Sequence, residues 1–383
     1  MGHRERLLAA LAHREPDRPP RDLGATRMSG IHVDAYRRLR TALDLEPREV
    51  QIGDFSQRLA TIDSDVLDRL GIDVRGVEAR PAAAYRRTLE DDGEYVSYLD
   101  EWGVRRRMPS QEGLSFNPGS APLAGDVDAT AVDRFRFPDP SDPARYEGMA
   151  DEARRAIAGE GRAVYVGSIC AGLTEMVFRL RGFEDGYLDL AANQALARRL
   201  MERVLELKIE YWQRVLAELG DAIDVAGEAD DLGGQHRLLF SPETYRRLVR
   251  PLHAELFAYI HAHSRARVFF HSCGAIRELI PDLIELGVDA INPVQVAATG
   301  MQSAALKRDF GRDLTFWGGA VDTQGVLATG GPAEVRAEVR RRVADLSTGG
   351  GFVFAAVHNI QADVPADNVI ALWDAAERGR VRA

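Results

Sequence analysis

From residue 143 onward the chain repeats one pattern: a short apolar run, a polar or glycine-containing turn, then a longer amphipathic stretch. Runs such as Val268-Phe269-Phe270, Ala290-Ile291-Asn292, Leu314-Thr315-Phe316-Trp317 and Phe352-Val353-Phe354 are too short for helices. They are also too uniformly apolar for strands with one wet face, and read as strands buried on both sides of a parallel sheet. The pattern predicts strands at 163–167, 222–226, 268–271, 290–293, 314–318 and 352–357. Helices are expected at 146–157, 173–181, 188–219, 242–264, 275–286, 303–310, 332–346 and 366–377. Six strands here, with one or two more at 21–26 and 72–74, give the count of a (β/α)8 barrel. A doubly wound open sheet is the competing arrangement, but it calls for a glycine-rich phosphate turn after an early strand. Gly330-Gly331 and Gly349-Gly350-Gly351 lack that spacing and read as tight turns.

The first third is less regular. A helix at 5–13 ends at the breakers Pro16, Pro19 and Pro20 and is expected to act as a lid or packing element. Helices at 33–43 and 65–70 follow. Residues 95–108 alternate around Trp102-Gly103 and predict a hairpin outside the repeat. Residues 110–142, rich in Pro, Gly, Ser and Asp, predict a long loop that covers or shapes a site. One barrel domain over 1–383, with an N-terminal extension and an inserted hairpin and loop, is the expected organisation.

With 49 basic and 59 acidic residues the net charge is -10, which argues against nucleic acid or an anionic membrane as the main partner. No apolar run is long enough to span a bilayer, and the opening MGHRERLLAALAHRE lacks the apolar core of a signal peptide. Two cysteines, Cys170 and Cys273, exclude a disulfide framework. A cytoplasmic enzyme acting on a small molecule is the expectation, equally compatible with a monomer and a homodimer.

In a barrel the chemistry gathers where the strands end. Those positions hold Gly227-Glu228-Ala229-Asp230-Asp231, His271-Ser272-Cys273, Asn292-Pro293-Val294-Gln295, Trp317-Gly318-Gly319-Ala320-Val321-Asp322 and His358-Asn359-Ile360-Gln361. His271 and Cys273 share one face of their strand, because side chains alternate. Imidazole nitrogen and thiolate sulfur together are half of a zinc site. His358, at the end of the last strand, faces the same mouth, and Glu228 or Asp230 can add an oxygen. The bland readings are a structural histidine, a buried cysteine, and aspartates that cap helices. Cys170 stands in a small, apolar context that favours plain burial.

These strand ends resemble the uroporphyrinogen decarboxylase superfamily, through His271-Ser272-Cys273-Gly274, Asp289 to Gln295, Phe316 to Gly319, Val321 to Gln324, His358 to Gln361 with Val364-Pro365, and Asp230 to Gly233 with Gln235. The resemblance is strongest from about residue 221 onward and implies a (β/α)8 barrel with a deep polar cleft. The true decarboxylases carry an arginine-rich first strand and a catalytic aspartate. Residues 19–30, PPRDLGATRMSG, lack that pattern, and Asp63 or Asp65 matches the aspartate only by rough position. The corrinoid-linked methyltransferases of the superfamily bind zinc through a His-x-Cys pair, which His271 and Cys273 match, plus a later cysteine, at or beside which this chain has His358.

A nitrogen-rich set makes zinc a harder Lewis acid, suited to polarising a substrate oxygen. The resemblance therefore implies O-demethylation of a methoxylated compound, with zinc on His271, Cys273, His358 and Glu228. Glu228, Asp230 and Asp322 would be catalytic, and Asn292, Gln295, Trp317 and Gln361 would bind substrate. Trp317 and Phe116 could also pack against an aromatic ring of the substrate, although core packing is the first expectation for each. The methyl group would pass to a corrinoid on a partner protein, because no Asp-x-His-x-x-Gly motif of a cobalamin domain is present. A metal-free decarboxylase of the same fold and a tetrapyrrole- or corrinoid-binding protein without turnover are the alternatives.

Overall fold

The computed structural model describes residues 1–377. Among them, seven strands form one parallel sheet: β1 (Val74–Val77), β2 (Ala163–Val166), β3 (Val225–Ala229), β4 (Arg267–His271), β5 (Ala290–Asn292), β6 (Thr315–Trp317) and β7 (Phe352–Val353). Each pairs with the next in sequence, the order of a sheet that curls in one direction. The eighth stave is the segment Arg21-Asp22. Arg21 bridges Phe354 in parallel fashion, Asp22 N donates to Phe354 O at 2.9 Å, and Asp73 N donates to Arg21 O at 2.9 Å. This short seam closes the (β/α)8 barrel. The strand expected over 21–26 is thus reduced to two residues, because Asp22 turns the chain by accepting from Ala25 N at 3.0 Å.

Period-two alternation sorts each strand between an inner and an outer face. Val74, Ala163, Tyr165, Val225, Phe269, Ala290, Trp317 and Val353 fill the interior, whereas Ala226, Val268, Phe270, Ile291, Phe316 and Phe352 face the helical layer. Tyr165, Phe269 and Trp317 meet edge to face inside, with centroids 5.2 Å apart for both pairs that include Phe269. They leave no space on β3, where a Cβ at Gly227 would lie 1.9 Å from the Tyr165 hydroxyl. The N-terminal helix His3–Leu11 inserts Leu7 and Leu11 into the same interior and meets the starts of the strands, Arg4 N donating to Gly161 O and Gly351 N to Ala10 O. It is a plug at the bottom of the barrel, not a lid over its mouth.

The hairpin appears as Tyr95–Leu99 against Arg105–Pro109, flanked by Glu90–Asp91 and Asn117–Pro118 in a four-stranded antiparallel sheet. The loop expected over 110–142 contains the last of these strands and the helix Ala129–Arg134. The long helix expected over 188–219 is two, Phe183–Ala192 and Gln194–Leu219, broken at Asn193. The strand expected over 222–226 lies three residues later, because a tight turn over Gly220–Ala222 uses up its start. That shift decides where Glu228 points.

Candidate metal centre

His271 ends β4, two residues beyond Phe269 on the inward face, so it stands on the aromatic floor of the barrel. Cys273 continues the same face, and His358 enters from the end of the last stave. One donor atom from each of the three lies within 4.8 Å of the others, and Cys273 Sγ is 3.4 Å from His271 Nε2. Tetrahedral zinc with nitrogen at about 2.0 Å and sulfur at about 2.3 Å spaces such ligands roughly 3.5 Å apart. The donor types and the His271–Cys273 separation therefore fit a zinc ion, with a His358 nitrogen within 4.8 Å of both.

The surroundings tune each donor. His271 Nδ1 lies 2.5 Å from Asn292 Oδ1, and Asn292 Nδ2 donates to Trp317 O at 2.9 Å. A carbonyl only accepts, so the amide orientation is fixed, His271 Nδ1 carries the proton, and Nε2 presents its lone pair. His358 is pushed down to about 4 by burial and by His271, with Asp231 opposing, so its imidazole is neutral at pH 7. Its Nδ1 accepts from Asn359 N at 2.8 Å, a bond that must be released, or the tautomer changed, when the ring takes a ligand. Burial and the nearby Asp231 carboxylate push the Cys273 thiol well up, so it keeps its proton until a cation offsets the charge.

The remaining expected site residues lie elsewhere. Glu228 is on the outward face of β3 with Ala226. Its carboxylate accepts from Lys208 Nζ and from Trp212 Nε1, both at 2.6 Å, beneath the helix Gln194–Leu219. It is therefore not brought to the His-Cys-His group. Asp230 shares that parity and accepts from Thr174 N at 3.0 Å, Thr174 Oγ1 at 2.5 Å and Glu175 N at 3.0 Å. Asp230 is a helix cap donated by a neighbouring strand. Asp322 accepts from Gln324 N at 3.1 Å in its own turn.

Asn292 positions His271 instead of facing substrate. Gln295 accepts from Gly274 N at 2.7 Å and so clamps the loop that carries Cys273. Trp317 is fully buried in the floor, donating to Asp22 Oδ2 at 2.8 Å. Gln361 is exposed and donates to Asn359 O at 3.0 Å. Phe116 packs with Phe55 and Tyr98 beside the inserted sheet. Cys170 is half-buried, its thiol pushed up to about 11 by burial, and it does not join the group.

Asp231 is the residue that sequence reasoning passed over. It accepts from Cys273 N at 2.8 Å and stands 3.7 Å from His271 Nε2. Parity would have found it: His271 pairs with Ala229 and Phe269 with Gly227, so 227, 229 and 231 point inward while 228 and 230 point out. Glu175, on the first turn of the helix Leu173–Arg181, interacts electrostatically with Asp231. Burial raises its carboxyl, Arg179 opposes this, and Asp231 and Asp230 add to it.

Among the described residues, no helix is long and apolar enough to cross a membrane. In comparisons of structure, a methyltransferase from Methanosarcina mazei superposes with a TM-score of 0.66 at 16% identity, covering 98% of both chains. A B12-independent methionine synthase from Shewanella sp. W3-18-1, in complex with selenomethionine, gives 0.39 at 9% identity over 82% of this chain and 85% of that one. The first shares the fold; the second is too distant to inform it. A search of curated proteins finds no match. The family model described as Uroporphyrinogen decarboxylase (URO-D) matches residues 112–379, about seventy per cent of the sequence, and the chain belongs to that family.

Proposed function

We propose that the protein is a zinc-dependent methyltransferase that demethylates a small methoxylated compound and delivers the methyl group to a corrinoid on a partner protein. The observation that carries this reading is the convergence of His271, Cys273 and His358 at one end of the barrel, with donor spacing suited to zinc. Three protein donors leave a tetrahedral ion one position for an exchangeable ligand, the form of a catalytic site. A zinc ion held there would supply Lewis acidity toward the substrate's ether oxygen, and the partner's corrinoid would supply the nucleophile that accepts the methyl group.

The chain's own residues orient and insulate. Asn292 holds the His271 lone pair on target, and Gln295 fixes the Cys273 loop through Gly274 N. Asn359 ties the mouth together by accepting from Gly30 N at 2.7 Å and donating to Arg27 O at 2.8 Å. The dry floor of Tyr165, Phe269 and Trp317 keeps water from reaching the group from below.

Zinc content of the purified protein, measured with the His271→Ala and His358→Ala variants, is the first test. About one equivalent in the wild type and loss in both variants is expected. Less than about a tenth of an equivalent in the wild type refutes the mechanism and favours a metal-free decarboxylase. A methoxyarene panel with reduced cobalamin then distinguishes turnover from binding alone: cobalamin binding without methyl transfer favours a binding protein.

A further inference from the structure

We infer that Asp231 is the fourth donor to the metal, closing the His-Cys-His set with a carboxylate oxygen until the substrate's oxygen takes that position. The inference rests on the zinc reading above and adds a residue to it. Asp231 Oδ1 lies 3.7 Å from His271 Nε2, close to the ligand separation of a tetrahedral ion, and it also accepts from Cys273 N at 2.8 Å. It is therefore tied to the backbone of one of the three ligand residues and stands beside the donor atom of another.

Its backbone is fixed from the other side. Asp230, the residue before it, is held outward by Thr174, by Glu175 N and by His253 Nε2 at 3.3 Å. Alternation then commits Asp231 to the inner face. The other carboxyls near this strand end are engaged: Glu228 by Lys208 and Trp212, and Glu175 by Gly172 N and Arg179.

Charge supports the same assignment. Two neutral imidazoles and one thiolate leave a divalent ion with a net positive charge in a largely buried site, and one carboxylate cancels it. The Asp231 side chain is 37% exposed, the opening into which it can swing when substrate arrives. A donor that is both attached to the site and free on its solvent side suits a position that must open and close.

The test uses cobalt(II) in place of zinc and follows the visible spectrum from about pH 6 to 9. With a carboxylate in the fourth position the wild-type spectrum changes little with pH. In Asp231→Asn and Asp231→Ala, water fills the position and ionises near about pH 7, so the spectrum acquires a transition there. Zinc affinity, measured against a chromogenic chelator, falls at least about 10-fold in both variants. A wild-type spectrum that already titrates near neutrality overturns the assignment, and the wild-type arm decides even where a variant does not fold. Variants that fold and hold zinc as tightly as the wild type overturn it too. Failure of the wild type to take up either metal has a different signature and removes the zinc reading together with Asp231's place in it.

Discussion

Replacing Lys208 by methionine tests how the outer layer supports the barrel. Lys208 Nζ sits 2.6 Å from Glu228 Oε2 and 2.7 Å from Ser168 Oγ, and the two charged side chains are 0% and 1% exposed. Lys208→Met leaves the Glu228 carboxylate buried with Trp212 Nε1 as its remaining donor, and breaking one partner of such a pair costs ~3–5 kcal/mol. An unfolding entropy of ~2.1 cal/mol/K per residue gives ~0.8 kcal/mol/K for a chain of this length, so the melting temperature falls by ~4–6 °C. The double variant Lys208→Met/Glu228→Leu removes both charges and recovers most of that loss. Circular-dichroism melts of the two singles and the double close the cycle. A shift under about 1 °C in Lys208→Met, or a double variant as unstable as the sum of the singles, refutes a pairing energy of this size. On the proposed zinc reading, folded Glu228→Gln protein is expected to take up zinc as the wild type does; loss of metal from it alone would reinstate Glu228 as a ligand.

Two further perturbations probe the barrel's bottom and its packing. Asp73, fully buried, accepts from Arg6 Nη1 and Arg18 Nη1 at 2.7 Å, from His3 Nδ1 at 2.8 Å and from Arg21 N at 2.7 Å. Burial opposes its ionisation, but these donors outweigh burial and hold the carboxyl below its ordinary 3.8. A depressed carboxyl stabilises the fold above that ordinary value, and the contribution is lost as pH falls below about 4. Denaturation midpoints across pH 3–7 are expected to drop in the wild type and to be flatter in Asp73→Asn; equal slopes refute the assignment. Gly227→Ala drives a methyl group to 1.9 Å from the Tyr165 hydroxyl and 2.2 Å from its ring carbon Cζ, and soluble yield is expected to collapse. Tyr165→Phe leaves that ring clash in place and does not rescue it, whereas Tyr165→Ala does in part. Rescue by phenylalanine would contradict the geometry.

The strands from β4 to β7 are legible because each is short, apolar on both faces and followed by a polar end, and His271 with Cys273 stands out against Val268-Phe269-Phe270. The start of β3 is misread because Ala222-Ile223 looks like strand, whereas Asp224 is the residue that anchors its entry, accepting from Val164 N at 2.9 Å. That slip carries Glu228 and Asp230 to the site on paper, when parity against β4 sends both outward and Asp231 inward. Trp317, Asn292 and Gln295 are polar or aromatic at the right height, yet their partners are backbone and side-chain groups far away in sequence. No local pattern distinguishes such supports from residues that face substrate. The seam at Arg21 is illegible for a different reason: two residues carry no periodicity.

That seam also fixes an order of events. The first stave and Phe354, its partner across the gap, lie far apart along the chain, and the neighbouring tie from Gly30 N to Asn359 spans 329 residues. Loop closure over such a span is slow and local contacts form first. The ring is therefore expected to join last, and until it does the mouth that gathers His271, Cys273 and His358 does not exist. Assembly of the His-Cys-His group thus becomes a report that two segments 329 residues apart have met.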